Sequence, residues 1–179
     1  MRRPPLRSTL ELLAKLLPLI RDVLDCRRAE QRRVGVAQND HVVREQLLAA
    51  HRAGFQCCAH AIGDAAIELL LDIYEEALRQ HPRTDHRHRI EHCSILRPDL
   101  IERIQRLGVV PIPGTTFLHD FQEAYLSGLG RERLRYAYAM RTFFDRGIVA
   151  AASTDAPVCS TSAMLGIQTM VTRRSGTGQ

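Results

Sequence analysis

The chain has 179 residues, of which 45% are hydrophobic and 25% are charged, so it can form one domain with a buried core. It is too short for a complete (β/α)8 barrel, which needs about 250 residues. Residues 1–40 hold nine Lys and Arg against five Asp and Glu, whereas residues 41–179 hold sixteen against fifteen. Because the larger part is almost neutral, we expect no nucleic-acid surface.

The chain shows no sign of a membrane segment or of a secreted disulfide framework. No apolar run reaches the roughly 18 residues of a membrane span, and Glu11 and Lys15 interrupt the apolar stretch near the N-terminus. Five cysteines with no C-x-x-C pair argue against disulfides and against a thiolate zinc site. We therefore expect a cytoplasmic protein that makes no membrane contact.

Residues 8–29 have the pattern of an amphipathic helix with a leucine-rich stripe, which Pro18 kinks or divides. A basic stretch follows it. We interpret the segment as a packing helix with a solvated end, and a partner-binding or membrane-surface helix stays open as an alternative. A third possibility is that the segment is foreign to the domain that follows. We therefore divide the chain into residues 1–38 and residues 39–179.

From residue 42 onward, helical and strand-like patterns alternate strictly. A helix that ends near Arg52 precedes a strand that ends at His60, and Asp64 then caps the most regular helix, which ends before Pro82. The later elements are a strand at 87–93, a helix from 98 that Gly108 closes, a weak strand from 109 with two prolines, helical sequence at 116–146, a strand at 148–155 and a helix at 162–172. This alternation predicts an α/β fold with about four parallel strands.

Three predicted strands end on residues that can bind a metal ion or accept a proton, namely His60, His92 and Asp155. Because the carboxyl ends of parallel strands lie on one rim, we expect the three side chains to converge. Neutral imidazoles bind zinc or a similar ion, and a carboxylate accepts a proton from activated water. On the residues alone, structural roles for the histidines and an Asx turn at Asp155 stay open. We interpret the other histidines as structural, namely His41, His51, His81, His86, His88 and His119.

The sequence around these strand ends resembles consecutive motifs of the amidohydrolase superfamily. The motifs are H-A-I-G-D at 60–64, R-H-R-I-E-H at 87–92 and S-T-D-A-P-V at 153–158. The branch with the greatest similarity is amidohydrolase family 3, the metal-dependent hydrolases related to N-acyl amino acid deacylases, over about residues 40–174. The resemblance implies a distorted TIM barrel with a small β-sandwich. It also implies hydrolysis of carbon–nitrogen bonds other than peptide bonds, in a small amide-type substrate.

The resemblance assigns roles to individual residues. His60 and His92 match metal ligands, and Asp155 matches a residue that binds the ion and acts as the general base. The implied ion is a divalent metal, and zinc is the one we expect. A supporting set that would orient these ligands consists of Asp64, Arg89 and Glu91.

Two motifs of the family have no counterpart in this chain. There is no H-x-H motif at a first barrel strand, and Lys15, the only lysine, does not match the lysine that bridges two metal ions. We therefore expect the C-terminal half of a barrel. Two interpretations stay open: a metal-dependent hydrolase, or an inactive half-barrel remnant or half that needs a partner chain.

An incomplete barrel has two open sheet edges and an inner face without its opposite wall. We expect a second copy or a complementing half-barrel to cover these surfaces, or the chain to be poorly soluble. The inner face is predicted to be built from Cys57, Ala59, Ile90, Val110 and Ala151 or their neighbours.

Overall fold

The computed structural model describes residues 40–176, so the helix predicted at 8–29 lies outside the described residues. The helices are α1 (Asp40–Arg52), α2 (Asp64–Gln80), α3 (Pro98–Leu107), α4 (Thr116–Arg133), α5 (Met140–Asp145) and α6 (Ala163–Thr172), with a 3-10 turn at Leu134–Tyr136. The strands are β1 (Cys58–Ala61), β2 (Arg89–His92) and β3 (Val110–Pro113). Within residues 40–176, no helix is long and apolar enough to cross a membrane.

The three strands form one parallel sheet in the order β1-β2-β3, with helices between successive strands. In this register His60 of β1 lies opposite Glu91 of β2, and Ala61 lies opposite His92. The buried Tyr74 of α2 ties its helix to the sheet, because its hydroxyl donates to the carbonyl of Arg89 at 2.8 Å. The predicted α/β fold with parallel strands is confirmed.

The predicted fourth strand runs alongside β3 but does not form a regular strand. The amide of Ala151 donates to the carbonyl of Pro111 at 3.2 Å, and the amide of Ser153 donates to the carbonyl of Pro113 at 2.9 Å. The N and O of one strand residue point to the same side, so both prolines present their nitrogens to this segment. Proline has no N–H, and the return hydrogen bonds cannot form.

The main core lies between the sheet and the helices that cover one of its faces. Ile90 is fully buried there, together with apolar residues of α2 and α3 that recur at helical spacing. These residues are Ile67, Leu70, Leu71, Tyr74, Leu100, Ile101 and Ile104. Pro98 at the start of α3 and the left-handed Gly108 (φ 67°) at its end set the limits of that helix.

The opposite face of the sheet is largely open. Arg89 and Val110 lie on this face at matching positions, and Val149 and Ala151 continue it on the neighbouring segment, where both are exposed. The prediction that Cys57, Ala59 and Ile90 build this face is wrong, because all three pack in or against the helix-covered core. Side chains alternate between the faces of a strand, and the most apolar positions here face the helices.

The two faces predict different responses to truncation. Ile90→Ala should lower the free energy of unfolding by about 2–5 kcal/mol, because it leaves a cavity in a closed core. Val149→Ala, at a position 75% exposed on the open face, is the matched control and should change the unfolding free energy of the dilute, monomeric chain by less than about 0.5 kcal/mol. Urea unfolding of both variants measures the difference, and equal losses would contradict this assignment of faces.

Candidate metal-binding site

His60, His92 and Asp155 lie together at the carboxyl edge of the sheet. The ring centroids of His60 and His92 are 4.2 Å apart, with the rings inclined by 63°. The Nε2 atom of His92 lies 4.0 Å from Oδ2 of Asp155. The structure therefore brings the three side chains to one rim, while their role as metal ligands stays a prediction.

The backbone conformation at the strand end explains how His92 reaches His60. In the strand register His92 lies opposite Ala61, on the face that the helices cover, whereas His60 lies opposite Glu91 on the open face. His92 and the next residue, Cys93, have positive φ values of 67° and 38°. This left-handed turn costs about 1–3 kcal/mol per non-glycine residue, and it reorients the imidazole towards His60. Asp155 also has a positive φ, of 52°.

Both site histidines are held in the neutral form. Burial is the main cause that lowers the pKa of His60 to about 4, the neighbouring His92 lowers it further, and Asp155 partly offsets these effects. Burial also lowers the pKa of His92, against the opposing charges of Asp155 and Glu91. At neutral pH each ring therefore keeps a nitrogen lone pair, which is the form that binds a metal ion.

The chemistry of these donors fits a divalent transition ion, because two neutral imidazoles and one carboxylate are common zinc ligands. The arrangement is incomplete, however. In the part of the chain that the structure describes, no group of three or more His, Cys, Asp or Glu side chains is placed to hold a metal ion. Any ion at this rim would need further ligands from water, from substrate or from another part of the protein.

The two carboxylates among the predicted supporting residues, Asp64 and Glu91, both accept hydrogen bonds from arginines. Nη2 of Arg133 donates to both carboxylate oxygens of Asp64 at 3.1 Å, and Arg97 lies 3.6 Å from the same group. Nε of Arg89 donates to Glu91 at 2.8 Å. Asp64 thus anchors the end of α4, and the predicted role of these residues in orienting the ligands stays a prediction.

The sequence analysis missed Phe117, which forms one wall of the site. Its ring lies 5.8 Å from the ring of His92 in an edge-to-face arrangement, and it belongs to a second apolar cluster with Tyr138. A Cβ atom at Gly114 would lie 2.8 Å from the Phe117 ring, so the glycine makes room for this contact. The sequence G-T-T-F, directly after β3, was the available signal.

Parallel strands alternate with helices in this unit, and two histidines and an aspartate lie at its carboxyl rim. This arrangement is part of the architecture of a metal-dependent hydrolase barrel. The amidohydrolase family profile matches residues 7–179, and the chain belongs to this family. It is 32% identical to YtcJ of Bacillus subtilis, whose name describes it as an amidohydrolase, over 76% of this chain and 25% of that protein. It is 29% identical to the N-substituted formamide deformylase of Arthrobacter pascens, over 66% of this chain and 22% of that protein.

A solved structure has the same fold. It is an uncharacterized metal-dependent hydrolase from Pyrococcus furiosus, with a TM-score of 0.65 and 26% sequence identity. The match covers 89% of this chain and 38% of the Pyrococcus furiosus chain. The chain spans about a quarter of the length of the curated relatives it matches. The family match covers residues 7–179 and therefore lies on both sides of the proposed domain boundary at residue 38. The match does not mark a boundary there, and the division of the chain at residue 38 stays a prediction.

The charge of Asp155 should be measurable in the titration of the two histidines. Because this carboxylate raises the pKa of His60 and of His92, Asp155→Asn should lower both values in the metal-free chain. Asp145→Asn is the matched control, since Asp145 is a remote acid that pairs with Arg141. Histidine side-chain NMR across pH 3–8 follows each ring, and an unchanged pKa of His60 in Asp155→Asn would show that the carboxylate does not act on this site.

Proposed function

We propose that this chain forms part of a divalent-metal hydrolase that cleaves carbon–nitrogen bonds other than peptide bonds in a small amide-type substrate. The observation that supports the proposal is the pair of neutral imidazoles, 4.2 Å apart, at a rim that also carries Asp155. The name of the Arthrobacter pascens relative, a deformylase of N-substituted formamides, describes cleavage of such a bond in that protein.

In this proposal His60 and His92 hold the ion through their ring nitrogens, and zinc is the expected metal. Such an ion lowers the pKa of water and polarises a carbonyl oxygen when it is bound. Asp155, which is 42% exposed, is reachable from solvent and takes up the proton of the attacking water on a carboxylate oxygen. The same carboxyl group then gives the proton to the leaving nitrogen. Phe117 covers one side of His92 and limits the access of water there.

A second candidate is that the described half-barrel is inactive by itself or needs a partner. It is favoured by the incomplete ligand set in residues 40–176 and by the open face of the sheet. The partner would be a second copy of the chain or a complementing half-barrel that supplies the opposite wall. Covering the exposed apolar side chains on this face, such as Val149, lowers the free energy and so favours association.

Zinc binding tests the proposed ligands. We expect weak binding by calorimetry, because two imidazoles and one carboxylate leave coordination positions to water. His60→Ala or His92→Ala should weaken zinc binding by more than about tenfold, the lower end of the roughly 10–100-fold loss that follows removal of an outer-shell partner. His41→Ala removes an exposed histidine on α1 and should have no effect. Tight binding of two ions, or binding that survives His92→Ala, would contradict the ligand assignment.

Association tests the open face. We expect a dimer or a larger species by size-exclusion chromatography with light scattering, because the face lacks its opposite wall. Val149→Asp places a charge on the face and should shift the chain towards monomer. Phe144→Asp is the control, at a residue 78% exposed on α5. A stable wild-type monomer with cooperative unfolding would argue against the partner proposal.

A further inference from the structure

A cluster of three buried histidines lies at the amino end of the sheet, opposite the rim with His60 and His92. His51 comes from α1, and His86 and His88 come from the segment before β2. Their exposed fractions are 1%, 5% and 0%. Tyr74 stacks on the ring of His88, with the ring centroids 4.8 Å apart. Because three titratable rings share one closed space, the position of the proton on each ring matters for its stability.

The hydrogen bonds determine the tautomers of His88 and His51. The amide of Cys57 donates to Nδ1 of His88 at 3.0 Å, so this nitrogen carries no proton. The proton of neutral His88 is therefore on Nε2, which lies 2.8 Å from Nδ1 of His51. His51 must accept there, and its Nε2 donates to the carbonyl of His81 at 2.7 Å. The result is a directed chain from a backbone N–H, through two rings, to a backbone carbonyl.

A second chain starts at the backbone of His88. Its amide donates to Nδ1 of His86 at 3.0 Å, and Nε2 of His86 lies 2.9 Å from the carbonyl of Leu107, to which it donates. All six ring nitrogens are thereby engaged, and all three rings are Nε2–H tautomers. The two chains join α1, the ends of α2 and α3, and the segments that lead into β1 and β2.

An added proton has no acceptor in this arrangement. Protonation of Nδ1 of His88 would place a donor against the amide of Cys57, and protonation of Nδ1 of His51 would place a donor against His88. The charged and titratable groups that face the cluster are Tyr74, His81, Cys57, Arg83 and Asp85. Arg83, which donates to the carbonyls of His51, Gly54 and Phe55, adds positive charge beside it.

We propose that His51, His86 and His88 form a pH-sensitive lock that ties the amino ends of β1 and β2 to the surrounding helices and opens when the rings are protonated. The lock acts on the strands that carry the candidate site. Cys57 lies three residues before His60, and His88 lies four residues before His92. Opening the amino end would release the register that places those two histidines side by side.

The direction of the pH effect follows from linkage. Burial lowers the pKa of His88 to about 3 and also lowers the pKa of His86, so the folded state binds fewer protons than the unfolded state in mild acid. The contribution of these rings is present above the unfolded pKa of about 6.5 and is lost as the pH falls below it. Below that pH, each such ring multiplies the unfolding equilibrium constant by at most about ten for each pH unit of acidification, and His88, with its pKa of about 3, comes near this limit.

The test compares urea unfolding of the metal-free chain between pH 5 and pH 7.5 in the wild type and in His86→Asn. The asparagine oxygen can accept the amide of His88 but does not titrate. We expect the pH slope below the unfolded histidine pKa to become shallower in His86→Asn, by at most about one proton, which is at most about a tenfold smaller change per pH unit. His41→Asn removes an exposed histidine of α1 that lies outside the cluster, and it should keep the wild-type slope.

A second measurement uses the wild-type chain, so it does not require that any variant folds. Nitrogen-15 NMR of the wild-type histidine rings at pH 7.5 should show His51, His86 and His88 as neutral Nε2–H tautomers. Loss of those signals on acidification should coincide with faster exchange of the Cys57 amide proton. An Nδ1–H tautomer in any of the three rings, or an unchanged pH slope in His86→Asn, would overturn the proposal.

Discussion

The parallel pairing of β1 with β2 is the constraint on which the other features depend. It places His60 opposite Glu91 and Ala61 opposite His92. The same pairing joins the strands at their other end, where Cys57 donates to His88. A slip of one residue would exchange the two faces of a strand, which would bury Arg89 under the helices and expose Ile90. The histidine cluster at one end and the histidine pair at the other therefore both require this register.

The contrast between the two sheet faces limits what can cover the open one. The helix-covered face buries Ile90, whereas the open face carries the ion pair of Arg89 and Glu91, with Nε to Oε1 at 2.8 Å. This pair is stable in water, but its burial would cost several kcal/mol unless its remaining hydrogen-bond capacity were satisfied. A purely apolar partner surface is therefore a poor match. The opposite wall must bring polar groups to Arg89 and Glu91 while covering Val110 and Val149.

Local signals were sufficient for the positions of most helices and for the choice of His60, His92 and Asp155 as residues at predicted strand ends, but not for the way in which the histidine rings meet. Pro98 and Gly108 predicted the limits of α3. The prediction that Asp64 caps α2 is wrong by one residue, because Gly63 is the N-cap and Asp64 is the first residue of the helix. The apolar run at 148–155 could not show by itself whether it forms a regular strand. A regular strand there needs backbone N–H donors on β3, and Pro111 and Pro113 have none. The histidine cluster was also missed. A spacing of 51, 86 and 88 shows nothing by itself, and only the parallel crossover brings α1 beside the segment before β2.

The candidate site shows where the rule of alternating faces stops. The rule that strand ends carry function predicted His92, yet alternation in β2 would direct its ring to the helix-covered side, away from His60. The left-handed backbone at His92 and Cys93 turns the His92 ring towards His60 instead. Because this backbone conformation is unfavourable, the surrounding structure must stabilise it. It does so through the complete burial of Cys93, through the amide of Ile95, which donates to the carbonyl of Ile62 at 2.9 Å, and through the edge contact with Phe117. The pairing of the two imidazoles is thus a product of tertiary packing around a strained turn, which no local pattern in the sequence encodes.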